Sequence, residues 1–331
     1  MLKNLYIFIL TFVVATILSP IVINLCKKLK AKQTILHYVT EHSQKNGTPT
    51  MGGIIFVTSC FLTSIISINN NHLLSVISLV VMLLYAILGF LDDFLKIHFK
   101  QNLGLRAYQK IIGQVGIALI IAIFAYNSNL IGSKVFIPLT NYQIDLGWGI
   151  IPFIVFVYLA VVNSVNLIDG LDGLSSGVSF VYIISFATIL LLYQNNFAGQ
   201  AFTEVQNLQT ICFSMCGALL AYFMFNCFPA TIFMGDTGSL ALGGLITTLA
   251  VVTGLELYIP ILGLPYVVTA LSDIIQVVYF KKTKKRIFLM APLHHHFQKK
   301  GVNENKIVTI YIITTMIICL LTITLVINFG G

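Results

Sequence analysis

The chain has 331 residues, 57% of them hydrophobic and only 9% charged, whereas soluble domains carry about 25% charged residues. Its 19 lysines and arginines outnumber 11 acidic residues for a formal charge of +8, yet no hydrophilic stretch is long enough to form a basic domain, which excludes a nucleic-acid-binding role. Long apolar runs recur from end to end, each near the ~20 residues that cross a bilayer as a helix; they predict an all-α polytopic integral membrane protein.

Ten runs read as spans, at about 5–25, 51–68, 73–91, 111–126, 148–165, 174–193, 208–226, 240–254, 257–280 and 307–328. The first follows a lone Lys3 and lacks a small-residue cleavage site, so it reads as a retained helix and not as a removed signal peptide. One set of connections, at 27–45, 96–110, 166–173, 227–239 and 281–306, holds 17 of the 19 basic residues. The positive-inside tendency makes that set cytoplasmic and puts both termini outside. In the 127–147 connection, KVFIPLTNYQIDLG combines β-branched residues with turn formers and predicts a small outside hairpin. The six cysteines, at 26, 60, 212, 216, 227 and 319, form no CxxC pair and have no histidine at ligand spacing, so they read as packing residues. No internal repeat or low-complexity tract interrupts the chain, and residues 1–331 are expected to form a single domain.

Acidic residues are few, and their placement is informative. Asp92 and Asp93 follow the third span in GFLDDFLK, Asp169 and Asp172 follow the fifth in NSVNLIDGLDGLSSG, and Asp236 follows the seventh in FPATIFMGDTGSLALGG. All five fall at predicted cytoplasmic ends. Carboxylates converging from separate turns, with Asn and Thr beside them, suit Mg²⁺, which takes one or two carboxylates and substrate phosphates while keeping several waters. In NLIDGLDG the aspartates are three apart, on one side of a helical turn, while Gly170 and Gly173 let backbone approach a ligand. MGDTGS places small residues and N–H groups at a helix start, where the dipole favours anions. KNGTPTMGG (45–53) opens the second span with hydroxyls, glycines and a lysine suited to phosphate or sugar, and Arg106 and Lys110 suit either phosphate binding or headgroup anchoring. Asp273 lies within the ninth span, and an intramembrane carboxylate points to function. MAPLHHHFQKKG (290–301) brings His294, His295 and His296 to the same face; Pro292 keeps them out of the preceding helix.

Together these stretches resemble one family: the bacterial phospho-N-acetylmuramoyl-pentapeptide transferases, within the polyprenyl-phosphate hexosamine-1-phosphate transferases. The resemblance runs through GTPTMGG (47–53), LGFLDDFLK (88–96), NLIDGLDGL from Asn166, FMGDTGSLALGG (233–244) and APLHHHF (291–297), in the family's order. It implies transfer of phospho-N-acetylmuramoyl-pentapeptide from UDP-N-acetylmuramoyl-pentapeptide to undecaprenyl phosphate. The products would be lipid I and UMP, in the first membrane step of peptidoglycan synthesis, at the cytoplasmic face of the bacterial inner membrane.

Carried over by motif, the resemblance makes Asp236 the Mg²⁺ ligand, with Asp92 and Asp93 close to the metal and lipid phosphate and Asp92 the base or phosphate-activating carboxylate. Asn166, Asp169 and Asp172 would hold the nucleoside, Phe233 would stack on uracil, and Lys45, Thr50 and Lys110 would contact phosphate or polar parts of the donor. His294, His295 and His296 become hydrogen-bonding groups for the donor, tunable near neutral pH; the triplet favours the muramoyl donor. Direct attack and a phospho-aspartyl intermediate both remain open, as does a homodimer. Two departures stand out: Gln298 where relatives carry Glu, and Thr269 where they carry an acid, with Asp273 one turn on along the same helix face. A UDP-N-acetylglucosamine–polyprenyl-phosphate transferase would share most motifs. An ion-coupled transporter is the alternative of another class, but its coupling acids would sit near the midplane.

Overall fold

In a computed structural model of the protein, residues 2–29, 47–68, 72–99, 104–140, 142–194 and 200–329 are described. The architecture is helical: α1 (Leu2–Lys28), α2 (Gly53–Ser67), α3 (Leu73–His98), α4 (Ala107–Asn127), α5 (Ile150–Ile168), α6 (Leu174–Tyr193), α7 (Gln200–Asn226), α8 (Gly235–Val251), α9 (Ile259–Leu262), α10 (Leu264–Thr283), α11 (Leu293–Lys299) and α12 (Glu304–Phe329). Between α4 and α5, β1 (Lys134–Phe136) pairs antiparallel with β2 (Gln143–Asp145), with Val135 opposite Ile144. The hairpin expected from KVFIPLTNYQIDLG is thus present.

Among the described residues, seven helices are long and apolar enough to cross a membrane, and an eighth crossing results if the bent pair Glu256–Leu262 and Leu264–Thr283 counts as one. The chain is a multi-pass membrane protein, but the expected ten spans are not reached by length and composition. The shortfall lies in α2 and α8, with 15 and 17 residues; at 1.5 Å per residue they reach about 22 and 25 Å, short of a ~30 Å hydrocarbon core. The ninth predicted run is broken by an 81° bend at Gly263, and Pro260 and Pro265 lie in the first turns on either side of it, where a missing N–H costs nothing.

The site is positioned by α8. Every residue of α8 from Thr237 to Val251 is buried, and the helix packs against α3, α5 and α2. Its glycines permit this. A Cβ on Gly53 would collide with the backbone of Gly238, one on Gly89 with the backbone at Asp236, one on Gly243 with Val162 and one on Gly244 with the Tyr85 ring. Close approach of small residues is how apolar helices gain packing energy in lipid, where no hydrophobic drive separates helix from solvent. Beyond the seam, α3 is fixed at its start by a carboxylate from another helix. Buried Glu204 on α7 accepts from the backbone N–H groups of Leu74 (3.1 Å) and Ser75 (3.4 Å), satisfying donors that a helix start leaves orphaned.

All six cysteines are free thiols, five of them buried, in keeping with a packing role. At the end opposite the aspartates, Phe136 donates its N–H to Gly254 O (2.8 Å). Tyr193 and Tyr258 share a hydroxyl contact (2.9 Å), while Leu139 N donates to Tyr258 Oη (3.0 Å), so the hairpin is latched to the segment that leads into α9 and the bend.

The Gly53–Gly238 contact generates a test. Gly53→Val should destabilise the protein by about 1–3 kcal/mol, the usual cost of overpacking a tight contact, and lower its melting temperature in detergent; an unchanged melting temperature would mean that α2 and α8 do not meet there.

Candidate active site

The last turns of α3 carry Asp92 and Asp93, and their geometry separates two roles. Asp93 Oδ1 accepts from Asp236 N (3.1 Å), while its Oδ2 accepts from Thr237 N (2.9 Å) and Thr237 Oγ1 (2.7 Å). A buried carboxylate from α3 therefore caps the start of α8, where orphaned N–H groups and the helix dipole favour negative charge. Gly235 makes the junction possible: its φ of +72° is a conformation that glycine adopts without steric cost, and a Cβ there would lie 2.6 Å from Asp93 Oδ2 and 2.9 Å from Thr50 Oγ1.

With α8 seated this way, Asp236 faces Asp92. The candidate ligand oxygens of Asp92, Asp93 and Asp236 lie within 4.8 Å of one another. Two ammonium groups enter the cluster. Lys96 Nζ is 2.6 Å from Asp92 Oδ2, 2.9 Å from Asp236 Oδ2 and 3.9 Å from Asp93 Oδ1; Lys110 Nζ is 3.0 Å from Asp236 Oδ2. Asn166 Nδ2 donates to Asp236 Oδ1 (2.7 Å) and Ser239 Oγ (2.8 Å), and Leu105 N donates to Asp92 Oδ1 (2.8 Å). Three carboxylates against two ammoniums leave one negative charge in excess. That excess, with hard oxygens drawn from two helices, fits a divalent cation such as Mg²⁺. Asp92 and Asp236 suit it best, because both Asp93 oxygens are engaged by α8.

The turn after α5 stands beside this cluster. The protein packed around Asp169, and then the carboxylates of Asp236, Asp93 and Asp172, hold its carboxyl well above the ordinary carboxylate range. Asp172 is turned toward structure: its N–H donates to Glu304 Oε1 (2.8 Å) and its Oδ2 accepts from Ala230 N (3.0 Å). Gly170 lies against the histidines, where a Cβ would fall 3.0 Å from His295 Nε2 and closer still to His294 Nε2. The triplet divides. His294 is buried and its ring meets that of His295 at 4.4 Å; His295 Nδ1 contacts Gln298 Oε1 at 2.8 Å. His296 turns back, its Nδ1 accepting from Leu289 N (3.0 Å). Gln298, one of the two departures in the sequence, thus holds a histidine ring.

Thr50 and Phe233 meet across a short bridge. Phe233 N donates to Pro49 O (2.8 Å) and Gly52 N to Phe233 O (2.8 Å), which places buried Thr50 over Gly235 and leaves the Phe233 ring half-buried. Lys45 lies outside the described residues.

A cavity of about 640 Å³ runs between α5 and the bent α9–α10 pair. It extends from Glu256 and Pro260 beside the bend to Asn163, Ser164 and Leu167 in the last turns of α5 and to Asp273 on α10, lined mainly by apolar side chains such as Phe156, Ala160 and Leu271. Asp273 faces this groove, whereas Thr269, one turn earlier, is fully buried.

Residues 74–254 match the family model described as glycosyl transferase family 4, and residues 45–57 match the phospho-N-acetylmuramoyl-pentapeptide-transferase signature 1. Proteins named phospho-N-acetylmuramoyl-pentapeptide-transferase align over nearly their whole length. That of Clostridioides difficile (strain 630) is 41% identical, covering 96% of each chain; that of Thermoanaerobacter sp. (strain X514) is 46% identical, covering 93% of this chain and 95% of its own; that of Clostridium novyi (strain NT) is 40% identical, covering 98% of each. The chain belongs to the phospho-N-acetylmuramoyl-pentapeptide-transferases.

Within this transferase family member, the central cation of the cluster escaped the sequence reading. Lys96 resembles a routine cytoplasmic flank, and the signal that marks it is spacing: three and four residues after Asp93 and Asp92, it shares their helix face. Thr237 and Ser239, which bind Asp93 and Asn166, were hidden in MGDTGS.

Asp93→Ala should remove the acceptor of two backbone N–H groups and destabilise the transferase by about 1–3 kcal/mol, the cost of stranding buried donors. Thermal unfolding in detergent reads this out; an unaltered transition would show that α8 is held in some other way.

Proposed function

We propose that the protein transfers phospho-N-acetylmuramoyl-pentapeptide from UDP-N-acetylmuramoyl-pentapeptide to undecaprenyl phosphate, giving lipid I and UMP. The observation that carries this reading is a carboxylate–ammonium cluster fit for a diphosphate and a divalent cation, to which α5 contributes Asn166; an apolar groove between α5 and α10 ends on Asn163, Ser164 and Leu167 of those same last turns of α5. The names of the relatives support the donor. On this reading residues 1–331 act as one domain in the bacterial cytoplasmic membrane, with the site on the cytoplasmic face and both termini outside. Short α2 and α8, the latter buried among its neighbours, then complete ten crossings.

Asp236 and Asp92 would hold Mg²⁺, which neutralises charge on the diphosphate as the phosphoryl group moves. Asp93 keeps Asp236 in place through the start of α8. Lys96 and Lys110, released from part of their carboxylate contacts, bind phosphate oxygens. Asn166, Asp169, Phe233, Thr50 and Lys45 serve the donor's nucleoside and diphosphate, and Asp172 shapes the turn that presents them. His294 and His295, lying against Gly170, address the sugar-phosphate side, with His296 bracing the 287–289 segment. The groove takes the polyprenyl chain so that its phosphate reaches Asp92. In the net reaction an acceptor phosphate oxygen bonds to the phosphorus bearing the sugar, and the bond from that phosphorus to the bridging oxygen breaks; UMP leaves with that oxygen.

Purified protein given UDP-N-acetylmuramoyl-pentapeptide, a polyprenyl phosphate and Mg²⁺ should release UMP and lose this activity on chelation. Release from UDP-N-acetylglucosamine alone would select the other sugar, and release from neither donor would overturn the reading. Asp236→Asn should abolish turnover. Lys96→Met removes charged hydrogen bonds worth about 1.5–3 kcal/mol and should cut kcat/KM about ten- to hundred-fold; wild-type kinetics would remove Lys96 from the site.

A further inference from the structure

The face opposite the site carries a surface that the transfer reaction does not use. Trp148, the sole tryptophan, is 76% exposed, and so is Tyr142; Ile144 on β2 is 46% exposed. Trp148 stands at the start of α5, and Pro152 four residues on is exposed as well, before the same face reaches the groove at Phe156. That face belongs to a helix long and apolar enough to cross a membrane, so the Trp148 patch stands at the end of a candidate crossing. Exposed Tyr6, near the start of α1, and Tyr126, near the end of α4, mark the same end of two other crossing helices. Amphipathic aromatic rings collect at such ends because an apolar body and a polar edge suit the headgroup layer. The hairpin is held at this level by the Leu139–Tyr258 and Phe136–Gly254 bonds, which tie it to the segment leading into α9, with Tyr193 of α6 bonded to the same Tyr258 hydroxyl.

We propose that Tyr142, Ile144 and Trp148 lie in the headgroup layer of the leaflet opposite the site, so that the hairpin is a lipid-docking element that sets the depth of the α9–α10 bend. The single tryptophan makes the test direct. The protein is reconstituted into phosphatidylcholine–phosphatidylglycerol vesicles containing lipid brominated either near the headgroup or near the chain end, and Trp148 emission is recorded with and without aqueous iodide. Headgroup-proximal bromine should remove most of the emission, chain-end bromine less, and iodide little. Tyr142→Ser/Ile144→Ser, which touches neither the cluster nor the groove, should shift the emission to the red and weaken bromolipid quenching while UMP release persists. Strong iodide quenching of the wild type with no effect of bromolipid would overturn the proposal and leave the patch to a soluble partner. Equal quenching by both bromolipids would also overturn it, by placing Trp148 in the hydrocarbon core.

Discussion

Asp93 is the contact on which the rest of the site depends. Two backbone N–H groups and a hydroxyl at the start of α8 converge on its carboxylate, and they sit where the helix dipole makes negative charge most favourable. Through that one group α3 and α8 are locked at a common level. Asp236, the second residue of α8, is consequently delivered beside Asp92 and Lys96. Glycine makes the arrangement possible at both closest points: the left-handed turn at Gly235, and the bare surface at Gly89 against which the Asp236 backbone rests.

From that lock follows an electrostatic balance. Lys96 and Lys110 keep three carboxylates together in the absence of ligand; without them the cluster would repel itself apart. On the proposed reading, the same two ammoniums become available to phosphate when a divalent cation takes over the carboxylates. One pair of lysines can therefore serve the resting site and the loaded one. Asn166 holds the remaining Asp236 oxygen against Ser239, so the carboxylate has little freedom to rotate away.

Much of this was legible in the sequence because a chain with so few charges makes each carboxylate conspicuous. The turns at 92–93, 166–173, 236 and 294–296 were readable, and the structure brings Asp92, Asp93, Asp236, Lys110 and Asn166 into contact. What was not legible depends on partners in space. Asp93 and Asp92 are adjacent and chemically identical, and only the location of α8 assigns one to capping and leaves the other facing the cluster. Asp172 looks equivalent to Asp169 until Ala230 and Glu304 are seen to hold it. Hydropathy alone also gives every apolar run the same weight, because it registers composition without knowing that α2 and α8 are short or that Gly263 breaks the ninth run.

The rim of the groove between α5 and α10 has a kinetic meaning. Phe156, Leu271 and Ile274 on that rim are exposed, so on the proposed reading the acceptor lipid would enter from the side and its product depart the same way. Encounter is then a two-dimensional search within one leaflet, and saturation depends on the mole fraction of acceptor among surrounding lipids, not on its bulk concentration. Diluting the acceptor with inert lipid slows such an enzyme even when every molecule in the tube is conserved.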